Sequence, residues 1–170
     1  MNRAVFLDRD GTILEHVAYM TDPAQVRIMP GAVEALRRLR TAGYLLVIVS
    51  NQSLVAREMG THTQSEAVSR RMEELFAAEG VRFDSIKYCF DAPESNSPRR
   101  KPNPAMLLEA AAELGIDLAR SAMIGDDLRD TAAGRAAGCT LNILISPTAV
   151  PDETTTPAII TAAEQVLASG

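Results

Sequence analysis

Short apolar runs alternate with amphipathic segments along most of the chain. Residues 4–7 and 44–49 are continuously apolar, as in strands that are buried on both faces of a parallel sheet. Three further segments, at 85–90, 122–124 and 140–145, also have the length and residue types of strands. The stretches between them repeat apolar residues three and four positions apart, which predicts helices. We therefore expect strand and helix to alternate up to residue 145, with one last helix beyond it.

Residues that start and stop helices frame the amphipathic segments. The order Thr63-Gln64-Ser65-Glu66 has the form of a capping box. Glycines at 43, 80, 115 and 138 follow four of the segments as C-terminal caps. Pro30-Gly31, Asn103-Pro104 and Thr156-Pro157 would begin three helices, and a small-residue helix is expected over 128–137. The inward faces predicted from the spacing comprise Val33, Leu36 and Leu39, then Val68, Met72, Leu75 and Phe76, then Leu107, Ala111 and Leu114, and finally Ile160, Ala163 and Leu167.

The order of these elements predicts the architecture. Parallel strands joined through helices cross over with a right hand, and the helices then cover both faces of the sheet. We predict an α/β fold, a three-layer doubly wound parallel sheet, with residues 1–170 forming one domain. No internal repeat, low-complexity tract or linker interrupts the pattern.

Composition and charge indicate the compartment of the protein and the partners that it is not expected to bind. A chain of 170 residues buries about 70% of its unfolded surface, and a net charge of -5 disfavours a nucleic-acid partner. No apolar run approaches the roughly 20 residues of a membrane span, and Met1-Asn2-Arg3 leads into a strand rather than a signal peptide. Cys89 and Cys139, assigned to separate predicted strands, favour a reducing compartment. We expect a cytoplasmic monomer with no membrane partner.

The segment Asp8-Arg9-Asp10-Gly11-Thr12 carries the first candidate chemistry. It follows the buried strand at 4–7, so its two carboxylates lie at a strand's carboxyl end, where ligands bind in open α/β sheets. Two acids two positions apart can share one cation and one phosphate. The glycine then lets the chain turn tightly away.

Three more polar motifs follow the ends of other predicted strands. Ser50–Ser53 offers hydroxyls, amides and backbone N–H groups to an anion. Arg100–Pro104 places two cations before a helix N-terminus, whose partial charge is positive. Gly125–Asp127 adds two carboxylates, with Asp130 one turn further on. Carboxylates, a hydroxyl and a lysine therefore converge at one edge of the predicted sheet.

The chain resembles the haloacid dehalogenase superfamily. Asp8-x-Asp10-Gly11-Thr12, Ser50, Lys101 and Gly125-Asp126-Asp127 match the four motifs of that superfamily in order. Ser50–Ser53 and Arg100–Pro102 are similar to the branch of heptose-bisphosphate and histidinol-phosphate phosphatases. The intervals between the motifs are filled mostly by predicted core elements. The resemblance therefore implies an enzyme without a separate cap domain.

Phosphate monoesters hydrolyse extremely slowly unaided, so charge must be neutralised and the reaction divided into two steps. Asp8 is the candidate nucleophile, and Asp10 is the candidate general acid and later the base. Lys101 would bind the phosphoryl group, with Ser50 donating a further hydrogen bond. Mg²⁺ would be held by Asp8, the backbone carbonyl of Asp10, and Asp126.

The chain departs from the branch pattern at positions that would bind metal or substrate. Relatives usually carry a zinc loop of four Cys or His ligands, but the chain has Cys89, Asp91, Ser97 and Arg99 at those positions. This set cannot form a structural zinc site, so no zinc is expected and Arg99 is expected to be solvated. Asp127 stands where heptose-bisphosphate phosphatases tend to have lysine, and it is a further candidate metal ligand.

The expected function is that of a Mg²⁺-dependent phosphomonoesterase that forms an aspartyl-phosphate on a small phosphorylated sugar. D-glycero-D-manno-heptose 1,7-bisphosphate, losing its 7-phosphate, is the best single substrate. Histidinol phosphate or a nucleotide is the alternative, and a non-catalytic binding module of the same fold is a third. The candidate substrate-binding residues are Gly11, Tyr19, Asn51, Gln52, Ser53 and Arg100.

Overall fold

The computed structural model describes all 170 residues and confirms the predicted fold class. The strands are β1 (Arg3–Leu7), β2 (Tyr44–Asn51), β3 (Ser85–Cys89), β4 (Ala122–Gly125), β5 (Leu141–Ile145) and β6 (Thr154–Thr156). The α-helices are α1 (Ala32–Thr41), α2 (His62–Ala78), α3 (Ala105–Leu114), α4 (Leu128–Ala137) and α5 (Ile159–Ser169). Three short 3₁₀ segments lie at Pro23–Gln25, Pro93–Ser95 and Leu118–Arg120.

The strands form one parallel sheet with the order β3-β2-β1-β4-β5-β6. The chain winds outward from β1 through β2 to β3, then returns to the other side of β1 at β4. The strand order therefore reverses beside β1, and the crevice outside the carboxyl ends of β1 and β4 is the usual ligand position in such sheets. No separate cap domain covers this crevice.

Two apolar cores lie on opposite faces of the sheet because successive strand side chains point to opposite sides. In β1, Val5 and Leu7 join the core beneath α1, α2 and α5. Ala4 and Phe6, between them, join the core beneath α3 and α4. All four side chains are completely buried. This double burial explains why the strand is apolar without alternation.

Two element boundaries differ from the sequence prediction. The box that caps α2 is formed by Thr61 and Gln64, two residues before the capping box predicted at Thr63–Glu66, and the helix begins at His62. Thr154–Thr156 forms a strand, and the last helix begins at Ile159, whereas the sequence predicts that this helix begins at Thr156-Pro157. Three successive β-branched threonines favour extended backbone, and they pair with β5 at the edge of the sheet.

Smaller differences concern helix faces and one cysteine. Val33 is only partly buried, whereas Ala35 is fully buried on α1. On α5, Ile159 and Val166 are buried, while the predicted Ile160 and Leu167 lie at the margin of the core. Cys139 lies between α4 and β5 rather than in a strand. None of the helices combines the length and apolar character required to span a membrane.

Candidate active site

An open cavity of about 360 Å³ lies at the carboxyl ends of β1, β2 and β4. Its wall includes most of the predicted site residues, namely Asp8, Asp10, Tyr19, Ser50, Asn51, Gln52, Ser53, Arg100, Lys101, Asp126 and Asp127. Residues from four separate parts of the sequence meet here because the ends of adjacent parallel strands lie side by side. Gly11 does not line the cavity.

Lys101 is buried between two carboxylates. Its Nζ donates to Asp8 Oδ1 at 2.7 Å and to the Val49 carbonyl at 2.7 Å, and it lies 2.7 Å from Asp130 Oδ1. Burial alone would lower the pKa of Lys101, but the charges of Asp8 and Asp130 outweigh it and raise that pKa. The ammonium is therefore a fixed positive charge beside Asp8.

Three carboxylates form an acidic cluster, with ligand oxygens of Asp8, Asp126 and Asp130 within 4.8 Å of one another. Burial, together with the charges of Asp8 and Asp130, raises the pKa of Asp126 to about 7. Burial and the charge of Asp8 raise the pKa of Asp130 to about 6, although Lys101 opposes this. One lysine does not balance three carboxylates. The excess negative charge and the all-oxygen donor set fit Mg²⁺.

Two glycines give these carboxylates room. Gly11 has φ +83°, and a Cβ there would collide with the Asp126 carboxylate. A Cβ on Gly125 would collide with the Asp130 carboxylate. The glycine of the first motif and the glycine of the last motif therefore allow backbone and carboxylate to approach closely.

The Asp10 carboxylate is held outside the acidic cluster. Gln52 Nε2 donates to Asp10 Oδ2 at 2.8 Å and to Ser50 Oγ at 2.9 Å. Gln52 Oε1 accepts from Arg9 Nη2 at 2.9 Å. The amide of Gln52, predicted to bind substrate, is therefore occupied by protein partners. Ser50 accepts the bond from Gln52 and keeps its own hydroxyl proton to donate.

Asn51 also bonds within the protein, where it holds the loop that carries the lysine. Its Nδ2 donates to the Lys101 carbonyl at 3.0 Å, and its Oδ1 accepts from the Lys101 N–H at 3.0 Å. This paired contact joins the end of β2 to the segment before α3. It fixes the backbone from which the buried lysine side chain extends.

Comparison with known proteins identifies the family. The family model of haloacid dehalogenase-like hydrolases matches residues 15–138. The chain belongs to this family. The resemblance that the sequence motifs indicated is thereby confirmed, and the matched range covers most of the chain from just after the first motif to the end of α4.

Among relatives of this hydrolase are two named D-glycero-beta-D-manno-heptose-1,7-bisphosphate 7-phosphatase. The protein from Pasteurella multocida is 38% identical over 151 residues, which cover 85% of this chain and 82% of the relative. The protein from Escherichia coli is 38% identical over 149 residues, which cover 84% and 78%. These relatives, together with the family, identify the hydrolase as a phosphatase and confirm the predicted branch.

Solved structures agree with this placement. A D,D-heptose 1,7-bisphosphate phosphatase from B. bronchiseptica, determined in complex with magnesium and phosphate, superposes with a TM-score of 0.87 at 28% identity. The match covers 99% of each chain. A relative of the same size with the same fold supports the absence of a cap domain in this phosphatase.

Asp127 of the hydrolase caps α4. Its Oδ1 accepts from the backbone N–H of Arg129 at 2.9 Å, and its carboxylate binds the Arg129 guanidinium at 2.9 and 2.8 Å. The Arg129 bonds, acting against burial, lower the pKa of Asp127 to about 2. Asp127 is not part of the acidic cluster, and it is Asp130, one turn into α4, that joins Asp8 and Asp126.

Three guanidinium groups, those of Arg57, Arg100 and Arg129, lie on the cavity wall. Burial and the positive charges of Arg129 and Arg57 lower the pKa of Arg100. The same wall includes Tyr19, which is 41% exposed. Arg129 is paired with Asp127, so Arg57 and Arg100 are the guanidinium groups of this wall that form no ion pair.

The loop that lacks zinc ligands is held by hydrogen bonds and an ion pair. Cys89 Sγ lies 3.5 Å from Asp91 Oδ2 and 4.0 Å from Ser97 Oγ, and Arg100 Nη1 donates to the Asp91 carbonyl at 3.1 Å. The Arg99 side chain, which we expect to be solvated, is 42% exposed, and its Nε lies 3.0 Å from Glu109 Oε1 on α3. Hydrogen bonds and an ion pair therefore hold Cys89, Asp91, Ser97 and Arg99 in this loop.

Four charged residues of the site are absent from the predicted site residues, namely Arg9, Arg57, Arg129 and Asp130. Asp130 is four positions after Asp126, a spacing that places both near the first turn of a helix, and this spacing was the available signal. Arg9 lies between the two aspartates of the first motif, yet it is only 1% exposed. Nothing in the sequence distinguishes this arginine from an exposed one.

Proposed function

We propose that this chain is a Mg²⁺-dependent phosphatase that forms an aspartyl-phosphate on Asp8 while hydrolysing a phosphorylated sugar. The preferred substrate is D-glycero-β-D-manno-heptose 1,7-bisphosphate, which loses its 7-phosphate. The observation that carries the proposal is the acidic cluster of Asp8, Asp126 and Asp130 beside the buried Lys101, within a cavity open to solvent. The names of the relatives from P. multocida and E. coli support the substrate.

Asp8 is the nucleophile of the proposed reaction, and Lys101 orients it through Oδ1. A carboxylate oxygen of Asp8 forms a bond to phosphorus as the bond between phosphorus and the sugar oxygen breaks. The leaving oxygen keeps the electron pair and takes a proton from Asp10. Water then attacks the phosphorus, Asp10 accepts its proton, and release of inorganic phosphate restores Asp8.

Charge stabilisation comes from groups that are fixed before substrate binds. Lys101 is placed to bind the transferring phosphoryl group, and the free hydroxyl proton of Ser50 supplies a further hydrogen bond. Asp8, Asp126 and Asp130 would hold Mg²⁺, which neutralises negative charge on the phosphoryl group and the nucleophile. The raised pKa values of Asp126 and Asp130 reflect the same excess of negative charge that a divalent cation would remove.

Two unpaired guanidinium groups on the cavity wall favour a substrate with a second anionic group. Arg57 and Arg100 line this wall, and guanidinium groups bind phosphate through paired hydrogen bonds. A sugar bisphosphate offers such a phosphate beyond the one that is transferred. Histidinol phosphate instead carries an amine, whose positive charge would be repelled here.

A phosphate-release assay with Mg²⁺ tests the proposal. Heptose 1,7-bisphosphate, histidinol phosphate and a nucleoside monophosphate are compared, with Asp8→Asn as the control that keeps the side-chain size. One extra charged hydrogen bond contributes about 1.5–3 kcal/mol, so kcat/KM should favour the bisphosphate by about 10- to 100-fold. Faster turnover of histidinol phosphate or the nucleotide would contradict the substrate assignment. Activity in Asp8→Asn would contradict the mechanism.

A further inference from the structure

A buried arginine holds the carboxylate that exchanges protons in the proposed reaction. Arg9 follows Asp8 at the end of β1, and its side chain is 2% exposed. Its Nε donates to Asp10 Oδ1 at 3.1 Å and to Oδ2 at 3.2 Å, and its Nη2 donates to Oδ2 at 2.9 Å. The guanidinium is therefore paired with the neighbouring Asp10 through both carboxylate oxygens.

Gln52 and Tyr88 fix the arginine from other directions. Gln52 bonds to Arg9 through Oε1 and to Asp10 through Nε2, so these three side chains form a closed ring of hydrogen bonds. The Tyr88 ring centroid lies 5.4 Å from Arg9 Cζ, within the range of a cation–π contact. The Tyr88 hydroxyl is in turn 2.9 Å from the Ser69 hydroxyl on α2. Few alternative positions remain for the guanidinium.

Burial of this charge is not explained by stability alone. Moving an ion out of water costs several kcal/mol, and well-packed apolar residues often replace a buried ion pair without loss of stability. Arg9 Nη1 is buried and has no hydrogen-bond partner, which adds to that penalty. The position is therefore unfavourable for an arginine unless the arginine serves Asp10.

The two oxygens of Asp10 have unequal surroundings. Oδ2 accepts from Arg9 Nη2 and Gln52 Nε2, whereas Oδ1 accepts only from Arg9 Nε, which it shares with Oδ2. The Asp10 side chain lies on the cavity wall and is 18% exposed. Oδ1 is therefore the oxygen with lone-pair capacity left for a proton, while Oδ2 anchors the group.

We propose that Arg9, together with Gln52, is a positioning residue that aims Asp10 Oδ1 at the leaving oxygen. The inference rests on the proposed function. A proton donor must lie within about 2.6–3.2 Å of the atom that it protonates, and an unanchored carboxylate would meet that condition only part of the time. Asp10 Oδ1 gives its proton to the sugar oxygen in the first step and takes one from water in the second.

The test compares leaving groups. The variant Arg9→Met removes the charge and keeps an unbranched side chain, and it is assayed on the heptose bisphosphate and on p-nitrophenyl phosphate, whose acidic leaving group needs no proton. General acid catalysis contributes about 10²–10⁴-fold. We expect kcat to fall by about 10²-fold or more on the sugar phosphate but by less than about 10-fold on the aryl phosphate. Equal losses on both substrates would overturn the proposal, because a purely structural role affects them alike.

A double-variant cycle provides a second readout. Adding Arg9→Met to Asp10→Asn should lower kcat on the sugar phosphate by less than about 3-fold, because residues that act through one another are not additive. If Arg9→Met lowers kcat by the same factor in the Asp10→Asn background as in the wild type, the proposal is overturned. Should Arg9→Met not fold, Gln52→Leu removes one Asp10 anchor while Arg9 remains. It should show the same selective loss on the sugar phosphate, and equal losses would again overturn the proposal.

Wild-type turnover separates this inference from the proposed function. The test needs only turnover of p-nitrophenyl phosphate and of one alkyl phosphate. The losses of kcat on these two substrates can then be compared even where the heptose bisphosphate is not the best substrate. A wild-type protein with Mg²⁺ that hydrolyses no phosphate ester would overturn both proposals.

Discussion

Replacing Lys101 by methionine removes the buried cation that contacts Asp8 and Asp130. The ammonium lies 2.7 Å from a carboxylate oxygen of Asp8 and 2.7 Å from one of Asp130. Each attraction is about 6 kcal/mol at an effective dielectric of 20, and desolvation opposes it. Removing one partner of a buried ion pair costs about 3–5 kcal/mol. We expect a loss of that size in the free energy of unfolding without Mg²⁺.

Mg²⁺ should recover part of this loss. With all three carboxylates ionised, as when a metal binds, the charges of the cluster sum to -2 with Lys101 and to -3 with methionine, so a divalent cation should bind the variant more tightly. A tenfold gain in affinity corresponds to about 1.4 kcal/mol, and the stability difference should shrink by at least that amount at saturating Mg²⁺. Turnover should nevertheless fall by about 10²–10³-fold, as for loss of one electrostatic catalytic group.

The assay is urea unfolding with and without Mg²⁺, together with phosphate release. Lys87→Met is the matched control, since Lys87 is the only other lysine and pairs with the exposed Glu113. Such a pair contributes about 0–1 kcal/mol. A Lys101→Met loss no larger than that of the control, or one that Mg²⁺ leaves unchanged, would refute the reasoning.

Three further predictions follow from the site. Because folding raises the pKa of Asp126 from 3.8 to about 7, the metal-free protein should lose stability as pH rises from about 4 to about 7. Calorimetry should show Mg²⁺ affinity rising over pH 5–7, where the metal displaces a proton, and a flat profile would contradict this. Arg100→Ala should mainly raise KM, whereas Arg99→Ala should leave the kinetics nearly unchanged because Arg99 pairs with Glu109. A larger kinetic effect of Arg99→Ala than of Arg100→Ala would show that the contact between Arg99 and Glu109 controls the site. Elemental analysis should find less than about a tenth of an equivalent of zinc, since Cys89 is the one soft ligand there, and stoichiometric zinc would contradict this.

Much of the fold could be predicted because buried parallel strands are encoded locally. The run that contains Val5 and Leu7 is apolar without alternation, which indicates burial on both faces. The end of this apolar run places Asp8 and Asp10 beyond the strand's carboxyl end. The edge strand β6 could not be predicted in this way, because three threonines carry no apolar signal and pair only with β5.

The parts of the site that could not be predicted depend on long-range contacts. Arginine is almost never fully buried unless it is paired, and the partners of Arg9 include Gln52, 43 positions away. Asp130 is a helix residue whose role depends on Lys101 reaching it from the loop before α3. Such contacts arise only once the sheet has brought distant strand ends together.

The central claim is that Asp8 carries the phosphoryl group during turnover. Its most direct test is a rapid acid quench with Mg²⁺ and heptose bisphosphate that is radiolabelled in the 7-phosphate, followed by peptide mapping. We predict label on the peptide that contains Asp8, released by hydroxylamine as expected for an acyl phosphate, and no label in Asp8→Asn. Turnover without a labelled protein intermediate, or label on another residue such as Ser50, would contradict the account.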